Sequence, residues 1–240
     1  MRIYVVADES DRDGGFVVER LVQRGAEMIE LDRADLPVFV DLEDPSMLLL
    51  LGSARGAHEP ASIDVVARES ALARAALRAG VPVMAICYGA QLLARALGGT
   101  SYEADDPELG WLRVDTIDSV LCPEGPWAQL HTDVFTPPPN AHVLGSSWYG
   151  PQCFVDDSLG ARSIAWQFHP EVTTETYNRW IDEDEGMIRA AGKDPGELRR
   201  QALANAARSR NAAHRLTDDA LEFLGVGISD TPVSDQLNAR

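Results

Sequence analysis

The chain has 240 residues, 45% of them apolar and 25% charged, with 21 Lys and Arg against 38 Asp and Glu for a formal net charge of −17. This length supports a sizeable core in one or two domains, and the composition is that of an ordinary globular protein. The acidity argues against nucleic acid and anionic membranes as partners, and no apolar run approaches the roughly 18 residues that span a bilayer, so a cytoplasmic protein is expected.

Met1 leads directly into a strand-like run, without the apolar region and cleavage site of a signal peptide. Three cysteines, Cys87, Cys122 and Cys153, form no C-x-x-C pair, which argues against a disulfide framework and a structural zinc site. Cys122 and Cys153 read as packing residues.

Arg2 to Ala7 reads as a strand, Phe16 to Gln23 as a helix closed by Gly25, and Ala26 to Leu31 as a second strand. This β-α-β alternation implies a parallel sheet. The loop from Asp8 to Gly15 lacks the spacing of a phosphate-binding loop, and its four acidic residues would repel a phosphate, so a solvated loop is expected. Met47 to Leu51 is a third strand running into Gly52-Ser53-Ala54-Arg55-Gly56, whose small residues allow backbone N–H groups to face a site at the strand's carboxyl end; an ordinary turn has the same composition. Ile63 to Ala79 is an Ala-rich helix stopped by Gly80.

Val81 to Ile86 has the pattern of a strand buried on both faces, and after Cys87 the period turns helical through Leu92, Leu93, Ala96 and Leu97 until Gly98-Gly99. Cys87 therefore stands on a strand-to-helix turn, with the small residues Ala85 and Gly89 on either side, as a nucleophile elbow requires. A cysteine in an apolar run is otherwise commonly inert core, so the catalytic reading needs a base elsewhere.

Beyond Gly99 the pattern is irregular and β-rich, with strands over Leu112 to Ile117 and Ala141 to Ser146, and His131-Thr132-Asp133 between them reads as structural. Arg162 to Phe168 is the last core strand and delivers His169-Pro170-Glu171 at its end. Pro170 disfavours helical geometry at His169, so the imidazole and the Glu171 carboxylate can project from one strand end as base and orienter. Helices follow from Thr173 and from near Pro195, the second basic through Arg199, Arg200, Arg208, Arg210 and Arg215 on what reads as a solvated face. One domain over residues 1–225 and a disordered polar tail over 226–240 are expected.

Ile86-Cys87-Tyr88-Gly89-Ala90-Gln91 with Leu97-Gly98-Gly99, Glu108-Leu109-Gly110-Trp111, His131-Thr132-Asp133, Ser146-Ser147 through Gln152-Cys153-Phe154, and Trp166-Gln167-Phe168-His169-Pro170-Glu171-Val172 together resemble the class I, triad-type glutamine amidotransferases. The likeness covers roughly residues 45 to 180 and is nearest to stand-alone chains similar to the amidotransferase part of GMP synthase. It implies a flavodoxin-like α/β fold with a mostly parallel central sheet flanked by helices and a small antiparallel β excursion. It further implies Cys87 as nucleophile, His169 as base and then acid, and Glu171 as orienter. The backbone of Tyr88 and of Gly52 and Ser53 would form the oxyanion hole, and Gln91, Ser147, Trp148 and Gln152 would surround the substrate. No metal or cofactor is implied.

The implied reaction is hydrolysis of the glutamine side-chain amide through a Cys thioester, releasing ammonia for a separate synthetase acting in trans, since these residues offer no ATP site. Two other readings stay open: a γ-glutamyl peptidase or hydrolase, and a non-catalytic regulatory subunit. The chain departs from the family pattern at Ala85, where glycine is usual, and in the Gly-Ser-Ala-Arg sequence after the third strand.

Overall fold

A computed structural model describes residues 1–37 and 39–227. The first strand β1 (Arg2–Ala7) is followed by α1 (Gly15–Gln23), β2 (Glu27–Asp32), β3 (Met47–Leu50), α2 (Ile63–Arg78), β4 (Val83–Ile86) and α3 (Tyr88–Ala96). Then come β5 (Thr100–Leu112), β6 (Asp115–Thr116), β7 (Trp127–Thr136), β8 (His142–Ser147), β9 (Gly150–Asp156) and β10 (Ser163–Trp166). Three helices close the described part of the chain: α4 (Thr174–Glu183), α5 (Glu185–Ala190) and α6 (Pro195–Leu224).

One sheet has the order β2-β1-β3-β4-β10-β9-β8-β6. The pairs from β2 to β10 are parallel, and β9, β8 and β6 extend the sheet antiparallel. This is the mostly parallel α/β architecture expected. Alternation along the strands divides the core between two faces: Met84 and Ile86 pack with α1 and α6 residues such as Leu21 and Leu221, while Val83 and Ala85 pack with Leu77 and Leu92 of α2 and α3. Strands buried on both faces show no polar alternation, which is why β3 and β4 appear in the sequence as unbroken apolar runs.

The antiparallel part differs from expectation. The strand expected over 112–117 is instead the end of the long β5 and the short β6, and His131 to Asp133 lie within β7 rather than between strands. β5 and β7 form a separate two-stranded ribbon whose register slips between Glu103 and Glu108. Pro107 falls inside that slip, where a residue without an N–H costs no ladder bond, and the acidic, proline-bearing run conceals the strand in the sequence. β9 was also not anticipated, because Pro151 lies near its start.

Two other expectations change. Asp8 to Gly15 is not simply solvated, since Asp11 accepts hydrogen bonds from Arg179 at 2.6 Å and from the Trp180 indole at 3.1 Å. The arginines of α6 are not merely a free surface either: Arg199 pairs with Asp182 and Arg210 with Glu19. Val226, assigned in the sequence to the tail, is buried against the core, and residues 228–240 lie outside the described part.

Among the described residues, no helix is long and apolar enough to cross a membrane. All three cysteines are free and buried.

Candidate active site

Five parallel strands have their carboxyl ends at one edge of the sheet, where open α/β sheets bind ligands. β4 delivers Cys87 there with φ 51° and ψ −111°, the one positive φ at a non-glycine residue among those described. Such a conformation costs on the order of 1–3 kcal/mol and persists only where its surroundings impose it. Here the Cys87 N–H donates to the Trp166 carbonyl at 2.8 Å, and the Cys87 carbonyl accepts from the Gln91 N–H at 3.0 Å. The tight turn brings α3 onto β3 so closely that a Cβ on Gly89 would lie 2.2 Å from the Leu50 carbonyl oxygen. Cys87 is the N-cap of α3, whose first N–H groups, including that of Tyr88, have no intrahelical acceptor and give this end of the helix partial positive charge.

β10 ends at Trp166, and the following residues carry the second half of the site. The His169 N–H donates to the Ala128 carbonyl at 2.9 Å, tying the segment to β7, and the Glu171 carbonyl accepts from the Phe16 N–H at 2.8 Å. Gly15 is essential to that second contact, because any Cβ there would fall on the Glu171 carbonyl. Held at both ends, His169 donates from Nδ1 to Glu171 Oε1 at 2.7 Å. Both side chains are buried, and His169 Nε2 has no hydrogen-bond partner among the described residues.

Burial alone would suppress the charged imidazole. The Cys87 sulfur and the Glu171 carboxylate on either side outweigh it and raise His169 well above its ordinary range. The Gln167 side-chain amide donates to Cys87 Sγ at 3.7 Å. A cysteine sulfur flanked by a histidine ring and an amide donor is an arrangement that can serve nucleophilic catalysis.

These groups open into a cavity of about 310 Å³. Cys87, Tyr88, Gln91, Gly52, Ser53, His169 and Glu171 all line it, so the structure brings seven of the ten residues anticipated from sequence to one place. Gln91 donates from Nε2 to the Asp133 carbonyl at 3.1 Å and to Gln167 Oε1 at 3.3 Å, while its buried Oε1 has no partner among the described residues.

Ser147, Trp148 and Gln152 do not line the cavity. Gln152 is fully buried and braces the β-rich part: its amide donates to Glu108 at 2.7 Å and to the Ser147 hydroxyl at 3.0 Å, and its oxygen accepts from Gln129 at 2.8 Å. His131 completes this brace, with Nε2 3.0 Å from Gln129 Oε1 and Nδ1 3.0 Å from the Asp133 carbonyl oxygen. Trp148 sits at the turn between β8 and β9 and is 97% exposed.

That side of the cavity is formed instead by Leu130 to Asp133 of β7, with His58 paired to Asp133 at 2.8 Å. Burial, with Glu103 and Glu59 nearby, raises Asp133 above the usual carboxylate range despite His58. The His-Thr-Asp run is visible in the sequence, but its place at the cavity depends on the ribbon. Trp180, whose ring lies 4.8 Å from that of His169, carries no sequence signal of its own. Among the described residues, no group of three or more His, Cys, Asp or Glu side chains is arranged to hold a metal ion.

A family model described as glutamine amidotransferase class-I matches residues 15–185. The chain is 34% identical over 120 residues to the glutamine-hydrolyzing GMP synthase of Aeropyrum pernix, an alignment covering 48% of this chain and 23% of that protein. It is 26% identical over 178 residues to that of Nitrobacter hamburgensis, covering 70% and 31%. The chain thus spans less than a third of the length of these curated relatives. Among solved structures, a glutamine amidotransferase of Thermotoga maritima superposes with a TM-score of 0.80 at 25% identity, covering 92% of this chain and 98% of that one.

Proposed function

The chain belongs to the class-I glutamine amidotransferase family, and from that premise we propose that it hydrolyses the side-chain amide of glutamine through a Cys87 thioester and passes the ammonia to a synthetase in trans. The observation that carries this reading is the arrangement of His169: Nδ1 is held by Glu171, and Nε2 is unpartnered beside the Cys87 thiol.

In the proposed reaction the Cys87 thiolate attacks the amide carbon, and the oxyanion is received by the N–H of Tyr88 and an N–H of the Gly52-Ser53 loop. His169 gives its Nε2 proton to the departing nitrogen, so that ammonia leaves and a γ-glutamyl thioester remains. The neutral imidazole then takes a proton from water, whose oxygen attacks the thioester; glutamate departs and the thiolate–imidazolium pair returns. Glu171 keeps the ring oriented throughout, and the unpartnered Gln91 Oε1 is available to a substrate N–H.

A second reading keeps the same chemistry with a larger leaving group, as in a γ-glutamyl peptide. It is favoured by the cavity's continuation past Trp180 to Glu183, Asp184 and Met187. Ammonia and glutamate release should be measured with purified protein, comparing glutamine with a γ-glutamyl peptide and including Cys87→Ala. Cys87-dependent turnover of glutamine is expected. Preference for the peptide would establish the second reading, and absence of turnover with both substrates would overturn both.

A further inference from the structure

Arg33 follows β2 directly and is fully buried, with no motif in the sequence to mark it. Its five N–H groups are all engaged. Nε donates to Glu69 Oε1 at 2.8 Å. One terminal nitrogen donates to Asp8 Oδ2 at 2.7 Å and to the Gly52 carbonyl at 3.0 Å. The other donates to the Leu51 carbonyl at 2.8 Å and to the Val6 carbonyl at 3.4 Å. The guanidinium carbon stands 4.6 Å above the centre of the Tyr88 ring, and the Tyr88 hydroxyl donates to the second oxygen of Glu69 at 2.8 Å. The same Asp8 oxygen accepts from the Ser53 hydroxyl at 2.6 Å.

A trans peptide is planar, so its C=O and N–H point in opposite directions. Arg33 draws the carbonyls of Leu51 and Gly52 to one side of the loop; the N–H groups of Gly52 and Ser53, which share those planes, are turned to the other. Gly52 adjoins the reacting groups: a Cβ placed on it would lie 3.6 Å from His169 Cε1 and 3.8 Å from Cys87 Cβ. Neither N–H donates to a protein atom among the described residues. Flipping either peptide would remove an acceptor from a buried guanidinium, so the orientation is strongly held.

We propose that Arg33 is the positioning residue of the oxyanion hole, turning the Gly52 and Ser53 N–H groups toward Cys87 and holding Tyr88 through Glu69, so that the hole is formed before substrate arrives. This rests on the reading that Cys87 attacks a γ-glutamyl amide. One buried cluster thereby anchors both sides of the hole, and the unusual Gly-Ser-Ala-Arg loop acquires a role: Ser53 and Arg55 both bond Asp8, which in turn pairs with Arg33. Burial alone would raise Asp8, but Arg33, the Ser53 hydroxyl and Arg55 bring it below the usual carboxylate range, so it remains an acceptor at neutral pH.

The test compares wild type, Arg33→Met, Arg33→Lys and Tyr88→Phe in the full chain by kcat and KM for glutamine and a γ-glutamyl peptide. Beside these, the rate of Cys87 alkylation by iodoacetamide is measured, because displacement at a saturated carbon forms no oxyanion. Arg33→Met is expected to lower kcat by about a hundredfold and Arg33→Lys by tenfold or more, with KM and the alkylation rate each within about threefold of wild type. Lysine keeps the charge but cannot hold two carbonyls and two carboxylates with a planar fork. If circular dichroism shows that Arg33→Met is unfolded, Arg33→Lys and Tyr88→Phe decide. Folded variants that keep kcat, or that lose alkylation in proportion to turnover, would overturn the positioning role. A wild-type protein that is alkylated at Cys87 yet turns over neither substrate would instead overturn the underlying reading, and the role of Arg33 with it.

Discussion

His169 Nδ1 and Glu171 Oε1 stand 2.7 Å apart within a buried segment whose two ends are fixed by β7 and by the start of α1. Neither the loop containing Pro170 nor the pair alone would hold this geometry. The Ala128 and Phe16 contacts fix the backbone of the segment, and the bond from Nδ1 to Glu171 then holds the ring.

Glu171→Gln keeps the shape of this contact and removes its charge. We expect kcat to fall by about 10²–10⁴, as when a triad carboxylate is neutralised, and the alkaline limb of the pH–rate profile to move down. The sign follows from His169, which the Cys87 sulfur and Glu171 raise well above its ordinary range against the effect of burial. A histidine more easily protonated when folded stabilises the fold fully below the ordinary value of about 6.5, and that contribution is lost as pH climbs through the folded value. Melting temperature followed upward from pH 6.5 should fall more in wild type than in Glu171→Gln. Equal slopes and an unmoved alkaline limb would refute the coupling.

Gly89→Ala is expected to disrupt the elbow although only one methyl is added. Its Cβ would meet the Leu50 backbone oxygen at 2.2 Å, and backbone at a strand end cannot yield as a side chain can. A loss of about 1–3 kcal/mol in denaturant unfolding is expected, with a larger proportional loss of turnover. Unchanged stability would mean that α3 is free to shift away from β3.

Trp148 and Asp133 should separate cleanly. Trp148→Ser removes a 97% exposed side chain that does not touch the cavity, so KM, kcat and melting temperature should stay near wild type. Asp133→Asn alters a cavity-lining carboxylate paired with His58, and we expect it to raise KM more than it lowers kcat. Steady-state kinetics on both variants checks this, and the reverse pattern would return substrate binding to the β8–β9 turn.

Asp218 of α6 accepts paired hydrogen bonds from Arg20 and from Arg24, at 2.6 to 2.9 Å, and so fastens α6 to α1. Burial alone would raise it, but the two guanidinium groups bring it down to about 2 from an ordinary 3.8. Its contribution is therefore present in full above that ordinary value and is lost as pH falls toward 2. Asp218→Asn should cost about 1–2 kcal/mol at pH 7 after allowance for partial exposure, with the difference from wild type shrinking below pH 4. Urea unfolding across that range measures it; a difference that persists unchanged would assign the effect to packing.

The parallel half of the sheet was readable because its strands are buried on both faces, and its turns carry glycines where the backbone demands them. Met47 to Leu51 and Val81 to Ile86 announce themselves as apolar runs, Cys87 follows β4 directly, and His169 stands three residues past the end of β10. The antiparallel half was less readable: β5 is acidic and contains Pro107, and its partner β7 is distant in sequence, so neither alternation nor turn chemistry reveals the ribbon. That gap is why Ser147 to Gln152 were expected at the site, whereas the cavity is lined by Leu130 to Asp133 of β7.

The sequence by itself determined the local chemistry: a cysteine on a strand-to-helix turn with small neighbours, and a histidine and glutamate two residues apart just past a core strand, because these depend on residues only a few positions apart. Tertiary structure alone decided which distant side chains complete the site. Arg33, Glu69 and Asp8 are separated along the chain and share no motif, yet in a dry interior a guanidinium must satisfy every N–H, and the acceptors within its reach are the carbonyls of Leu51 and Gly52, a third from β1 and these two carboxylates.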